Sequence, residues 1–182
     1  MGRKEQILEA AFEIVDQAGI EGLHARTVAA RLGINHASVH YYFRTRSELL
    51  SALIHHSFDR LEAETHSLLT KAKTHDERVE AVLTQVSRHA SESNAFPRNW
   101  ASYFVASIAD PELRKIMAQR LTSWLEKLEA ELSEADASRI PMRSPDVLAA
   151  TLVGVVFMGH AIGREYRADE TLHKIAASLR AA

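Results

Sequence analysis

The sequence predicts an all-α protein of about nine helices, on three observations. Glycine and proline are scarce, seven and four among 182 residues, so few positions force the chain out of helical geometry. Apolar residues recur at spacings of three and four through most of the chain, the mark of one buried helix face. Between those stretches stand helix start and stop residues in the right order, with Asn, Thr or Asp before a stretch and Gly after it.

The first helix is expected from Arg3 to Ala18, with Ile7, Leu8, Ala11, Phe12, Val15 and Ala18 as its apolar stripe and Gly19 as its stop. "GIEG" makes a short turn. A second helix covers Ala25 to Leu32, with Val28, Ala29 and Leu32 inward, and Gly33 breaks it. Asn35 caps a third helix, His36 to Phe43. Thr45 and Glu48 form a capping box that starts a long fourth helix to about Ala72, through Leu49, Leu50, Leu53, Ile54, Phe58, Leu61 and Leu68. Further helices are expected over Asp76 to Ser91 and Phe96 to Ile108. The next opens at "DPEL", with Asp110 as N-cap and Pro111 at the first position, and runs to Leu132. "SEADASRIPMRSP" is the clearest loop. A helix from Ser144 to Tyr166 and a short last one in "DETLHKIAASLRAA" complete the chain.

Composition narrows the function classes. The apolar share is 46%, enough for a substantial core. Net charge is −2, so any contact with a polyanion must come from a local basic patch. Cysteine is absent, which excludes disulfides, thiolate zinc sites and a cysteine nucleophile and fits a cytoplasmic location. The apolar run Val147 to Gly159 is shorter than the roughly 20 residues of a membrane span and is expected to be a buried helix, so no membrane association is expected. There is no Gly-rich phosphate loop, no G-x-S-x-G and no His-Glu-x-x-His. No enzyme activity, cofactor or metal is expected. His36 and His40 have a zinc-compatible spacing, but no third ligand stands nearby.

Helix, Gly-containing turn, short helix is the helix-turn-helix pattern. Ala29, four residues before Gly33, allows close helix approach, and Gly33 can take the positive φ of a tight turn. Val28, Leu32, Ile34 and Val39 supply a small core that fixes the angle. The third helix, about 12 Å long, is short enough to need support and long enough to enter a major groove.

"GIEGLHARTVAARLGINHASVHYYFRTRSELL" resembles the N-terminal region of TetR-family transcriptional regulators. The "LG" turn, "YF" near the end of the third helix, a basic residue three beyond that Phe, and the following "LL" are all in register, over about Glu5 to Leu53. "PRNWASYFVASIADPELRKIM" looks like the ligand domain of the choline-responsive branch. The resemblance implies roles. Arg26 reads a base or phosphate; His36, Ala37, Ser38, His40 and Tyr41 face the groove; Tyr42, Arg46 and Thr27 contact phosphates. His24, His36 and His40 depart from the family's usual residues. They lead to the expectation that operator affinity rises as pH falls through about 6.5.

The resemblance also implies a division into a DNA-binding domain, residues 1–50, and a ligand and dimer domain, residues 51–182, hinged inside the continuous fourth helix. Trp100, Tyr103, Phe104, Trp124 and Phe157 read either as core or as pocket lining. With Phe58, Met117, Leu121, Met158 and His160 they are the pocket candidates for a small-molecule effector of unknown identity. The helix Val147 to Tyr166 is apolar on nearly all sides, so one side wants a partner. The implied homodimer would use the last two helices, with Ala149, Leu152, Val153, Val156, Ile162, Leu172, Ile175 and Leu179 as candidates. The expected function is a ligand-released homodimeric repressor on double-stranded, palindromic DNA. Two alternatives are the same fold governed by a protein partner, and a helical enzyme using His160 and nearby carboxylates.

Overall fold

The computed structural model describes residues 2–90, 96–133, 145–163 and 167–180. The expected loop, Ser133 to Pro145, falls almost wholly outside the described residues, as do the side chains of Ala149 and Leu179. The described residues form nine α-helices and no strand: α1 (Arg3–Ala18), α2 (Ala25–Leu32), α3 (His36–Tyr42), α4 (Arg46–Leu69), α5 (His75–His89), α6 (Phe96–Ala109), α7 (Pro111–Ser133), α8 (Pro145–Ile162) and α9 (Ala168–Arg180). A 3₁₀ turn, Ile20–Gly22, joins α1 to α2. The protein is all-α, as its sequence predicts. No helix among the described residues is long and apolar enough to cross a membrane.

The chain separates into two compact units: Met1–Arg60 with Arg98–Arg120, and Leu61–Pro97 with Leu121–Ala182. These do not coincide with a cut at residue 50, because α6 and the start of α7 group with the first three helices. Helices α4 and α7 each contribute to both units.

In the first unit α1 packs on α2 and α2 on α3. The buried stripe of α1 is Ile7, Leu8, Ala10, Ala11, Ile14 and Val15. Phe12, expected in that stripe, is half-buried and carries the Arg60 guanidinium 4.7 Å above its ring. Ala18, also expected in the stripe, is exposed, and a Cβ placed on Gly22 would lie 2.6 Å from the Ala18 Cβ, so the close turn needs glycine there. Helix α6 is tied to α1 by an Arg98–Asp16 ion pair at 2.6 Å and to α4 by a buried hydrogen bond, Tyr103–Ser57, at 3.0 Å. Burial pushes the Tyr103 phenol above its ordinary value, so it keeps its proton. Trp100 packs edge-on to Phe58, ring centroids 4.5 Å apart.

In the second unit α5 packs on α8 and α9. The close approach needs Gly159: a Cβ there would lie 2.6 Å from the Ala90 carbonyl oxygen. Leu152, Val155, Val156 and Leu172 are buried in this unit's own core. At the end of α5, His89 stacks on Phe96 and bonds Glu64 at 3.2 Å, while Arg88 pairs with the same carboxylate. Burial, with Arg88 beside it, pushes His89 from 6.5 down to about 4, so its neutral ring donates Nε2–H to Glu64.

That shift has a sign. The unfolded chain takes up a proton at His89 near pH 6.5, whereas the folded chain resists it until about 4. The stabilisation is complete above pH 6.5 and is lost as pH falls toward 4. Urea unfolding at pH 7 and pH 5 should show a loss of about 2 kcal/mol, which His89→Gln abolishes.

Candidate nucleic-acid interface

The α2–α3 junction is built by backbone chemistry that the sequence dictates locally. Gly33 has φ +63°, and the Gly33 and Ile34 amides donate to the Ala30 and Ala29 carbonyls at 3.3 and 3.0 Å. That is the two-bond Schellman stop, for which a residue tolerant of left-handed backbone is needed. Two residues later the Asn35 side chain accepts from the Ala37 amide at 2.9 Å and starts α3. Val28 and Val39 are fully buried and Phe43 nearly so, while Leu32 and Ile34 close the junction half-buried.

With Val39 and Phe43 turned inward, α3 presents its other face to solvent. His36, Ala37, His40 and Tyr41 are exposed, Tyr41 with 82% of its surface. Ser38 is half-buried. Tyr42 is 38% exposed and meets Tyr41 edge-on, centroids 5.1 Å apart. The His36 and His40 rings also meet edge-on, at 6.0 Å. Phe43 terminates α3 rather than belonging to it, and Lys4 of α1 sits 5.8 Å from its ring centroid.

Arg26, Thr27 and Arg46 stand on neighbouring elements, all exposed. Thr27 does not offer a free hydroxyl. Its single proton is directed to the Gly22 and His24 carbonyls at 2.7 and 2.8 Å, and its oxygen accepts from the His24 amide at 3.1 Å. It fixes the backbone at the start of α2, so a role as phosphate donor is corrected to one of positioning. Arg46 is also engaged: Nε donates to the Leu23 carbonyl at 2.9 Å, a terminal nitrogen donates to the Ile20 carbonyl, and Glu21 lies 3.7 Å away. The guanidinium pins the α1–α2 turn to the start of α4 and, with 42% of the side chain exposed, still has N–H groups beyond those two bonds. The expected capping box is half formed. Thr45 accepts from the Glu48 amide at 3.0 Å, but the Glu48 carboxylate accepts from the Arg44 amide at 2.8 Å, one residue further back.

Between the start of α2, the end of α3 and the start of α4 lies a cleft of about 570 Å³. Its floor is Val39, Phe43 and Leu49, and its rim carries His24, Arg26, Thr27, His40, Thr45 and Arg46. His24 at this rim was not among the sequence-predicted contacts. Its position immediately before α2 is the signal that places it there.

The pocket and dimer candidates are distributed unevenly. Phe58, Trp100, Tyr103 and Met117 are buried in the first unit and Phe104 half-buried there. Arg120 lies 5.4 Å from the Phe58 ring centroid and pairs with Asp59 at 2.6 Å. In the second unit Trp124 is buried, and Leu121, Phe157 and His160 are half-buried. The Trp124 Nε1 and His160 Nδ1 atoms are buried without a hydrogen-bond partner among the described residues. Met158 is corrected: it is 48% exposed, on the outer face of α8. Leu152, Val156 and Leu172 are corrected in the opposite sense, since they are buried within the second unit itself and present little surface to a partner. Val153 and Ile175 are half-buried, and Ile162 is exposed. No cluster of three or more metal-ligating side chains occurs among the described residues.

Comparison with known proteins agrees with this geometry. The profile of bacterial regulatory proteins, tetR family, matches residues 7–53. The HTH-type transcriptional regulator BetI of Burkholderia lata is 25% identical over 162 residues, which span 88% of this chain and 84% of that protein. A solved member of the TetR family from Streptomyces coelicolor superposes with a TM-score of 0.71 at 24% identity, covering 99% of both chains. A Saccharomonospora viridis protein, described as a transcriptional regulator and solved in complex with choline, superposes with a TM-score of 0.69 at 17% identity, covering 96% of this chain and 93% of its own.

Proposed function

We propose that the chain is a TetR-family transcriptional regulator rather than an enzyme, and specifically a homodimeric repressor of a palindromic operator, released by a small-molecule effector; its match to the tetR family profile over residues 7–53 and its 25% identity to BetI support the family reading. The observation that carries the DNA half of this reading is α3 itself. It is buried at Val39 and Phe43 and exposed at His36, Ala37, His40 and Tyr41, so a capped helix offers mixed polar and aromatic groups to a groove. Arg26, Tyr42 and Arg46 flank it as phosphate or base contacts, and Ser38 serves from the edge.

The dimer half is supported by the outer face of α8. Ala150, Met158, Ala161 and Ile162 are exposed, with Val153 and Phe157 half-exposed between them. These recur at three, four and seven, so an apolar stripe with small residues faces outward. Two reading heads on a two-fold dimer would sit about 35 Å apart, one turn of DNA.

The effector would bind in the C-terminal helices and supply partners for Trp124 Nε1 and His160 Nδ1, since buried polar groups are almost always paired. Choline, held by the S. viridis protein, is the first compound to test. The aromatic group of the first unit already faces a cation, Arg120, on Phe58. A quaternary ammonium would displace that guanidinium or bind beside Trp124 and Phe157 instead. Helix α4, common to both units, would carry the coupling, typically 1–3 kcal/mol. One observation favours a second reading, control by a protein partner: Val105 and Ile108 on α6 are 68% and 75% exposed.

Selection of bound duplexes from a random pool tests the reading. The expected product is an inverted repeat with half-site centres about 10 base pairs or a multiple apart. Enrichment of a single, unrepeated site would remove the palindromic dimer from the account.

A further inference from the structure

Buried polar groups are almost always paired, and the interior of the second unit breaks that rule on three helices. Gln85 Nε2 on α5, Trp124 Nε1 on α7 and His160 Nδ1 on α8 are buried without a hydrogen-bond partner among the described residues. Gln85 and Trp124 are only 3% and 8% exposed as whole residues. Contacts along α4 bring the three atoms to one level. Thr65 donates to Gln85 Oε1 at 3.0 Å and His89 bonds Glu64 at 3.2 Å, so α5 runs antiparallel to α4. Glu62–Lys127 at 2.7 Å and His66–Glu131 at 3.5 Å set α7 parallel to α4, with Trp124 less than a turn before Lys127. Gly159 abuts Ala90, the residue after His89, and His160 follows it. The three groups therefore fall within about two turns of one another along α4.

We propose that the second unit binds an uncharged carbonyl compound, such as an ester, lactone or ketone, whose oxygen accepts from Gln85 Nε2 and Trp124 Nε1, with His160 as a third contact. The inference rests on the effector reading and adds to it the chemical class of the ligand. Trp124 Nε1 can only donate, and so can Gln85 Nε2, whose amide Thr65 orients. His160 Nδ1 donates or accepts according to its tautomer. A carbonyl oxygen has two lone pairs and answers two donors without bringing a charge. A cation would meet the positive ends of the N–H dipoles. Nor is a carboxylate left over to hold it, because Glu64 already bonds Arg88 and His89. An anion would need a buried counter-charge. Burial holds His89 neutral, pushed from 6.5 down to about 4, so that histidine does not supply one. The rest of the ligand is apolar, since Val86, Leu125, Leu128 and Val156 are the buried residues within about a turn of these groups.

The indole N–H resonance of Trp124 reads the site directly. The chain has two tryptophans, and Trp124→Phe assigns the resonance by deleting it. The full chain is titrated at millimolar levels with matched probes: methyl cyclohexanecarboxylate, cyclohexanecarboxylate, cyclohexyltrimethylammonium and choline. The ester should move the Trp124 resonance downfield and saturably, as a new acceptor does. The anion and both cations should bind at least about tenfold more weakly. Gln85→Met should weaken ester binding about tenfold without lowering the melting temperature, because it removes an orphaned donor together with the contact. Trp124→Phe should weaken it similarly, with calorimetry as the readout. An ester that leaves the resonance unmoved, or a charged probe that binds as tightly, would overturn the ligand class. A contact from the Trp124 N–H to a bound water that persists at saturating ester would make water the occupant and overturn it equally. If the ester binds at Trp124 while affinity for the selected operator stays unchanged, the effector reading fails and the carbonyl site stands.

Discussion

Met158→Glu/Ile162→Glu is expected to convert the protein to a monomer and to lower operator affinity by about 10²–10⁴-fold. Both side chains are nearly half exposed on the outer face of α8, so the change leaves the second unit's own core untouched. Placing two carboxylates on each copy at a two-fold contact sets like charges against each other in an apolar surface, which costs several kcal/mol across the pair. The affinity loss follows because two linked reading heads bind the second half-site as an intramolecular event. Sedimentation measures the oligomer, and a melting curve confirms that the helices persist. Leu152→Glu would be an uninformative substitute, because Leu152 is buried against its own unit and its loss would unfold that unit.

Arg46→Ala carries the second large effect, and it has two separable parts. Loss of a phosphate-facing charge should weaken binding to all sequences about tenfold and lessen the salt slope by about 1. Loss of the bonds to the Leu23 and Ile20 carbonyls should lower stability by about 1.5–3 kcal/mol, since hydrogen bonds to a charged group are worth more than neutral ones. Arg46→Lys separates the parts. It keeps the charge and should restore the salt slope, but a point cation cannot reproduce the forked hold on two carbonyls, so the stability loss should persist. Salt titrations of binding and urea unfolding of both variants measure the two effects. An Arg46→Ala protein with unchanged affinity at every salt concentration would remove Arg46 from the phosphate contacts and leave it a purely structural clamp.

The α1–α3 end is largely legible in the sequence because its determinants are local. Gly33 and Asn35 act within a few residues, and each does in the structure what its type requires: a left-handed stop and a side-chain cap. Asp110 likewise accepts from the Glu112 and Leu113 amides at the start of α7. What escaped depends on contacts distant in sequence. Arg46 reaches carbonyls more than twenty positions away, so spacing alone could not tell a clamp from a free phosphate ligand. The link between Arg98 and Asp16 spans 82 residues, and with it the grouping of α6 with the first helices was invisible. Helix α8 shows the complementary difficulty. It is apolar on nearly all sides, so no periodicity distinguished the face packed on α5 from the outward one. Sequence alone therefore puts Leu152 and Val156 on the wrong side, and Met158 inside rather than out. Glu48 bonding the Arg44 amide instead of that of Thr45 is a smaller case: a carboxylate reaches either amide, and only the turn's geometry decides.

Two copies of this chain are expected to read two half-sites together. The most direct test is binding of the selected operator and of the same operator with a half-turn of DNA inserted between its half-sites. Two chains per duplex and a loss of at least 10²-fold on insertion are predicted, because the second α3 would face away from its groove. Equal affinity for both duplexes, with one chain bound to each, would contradict the account.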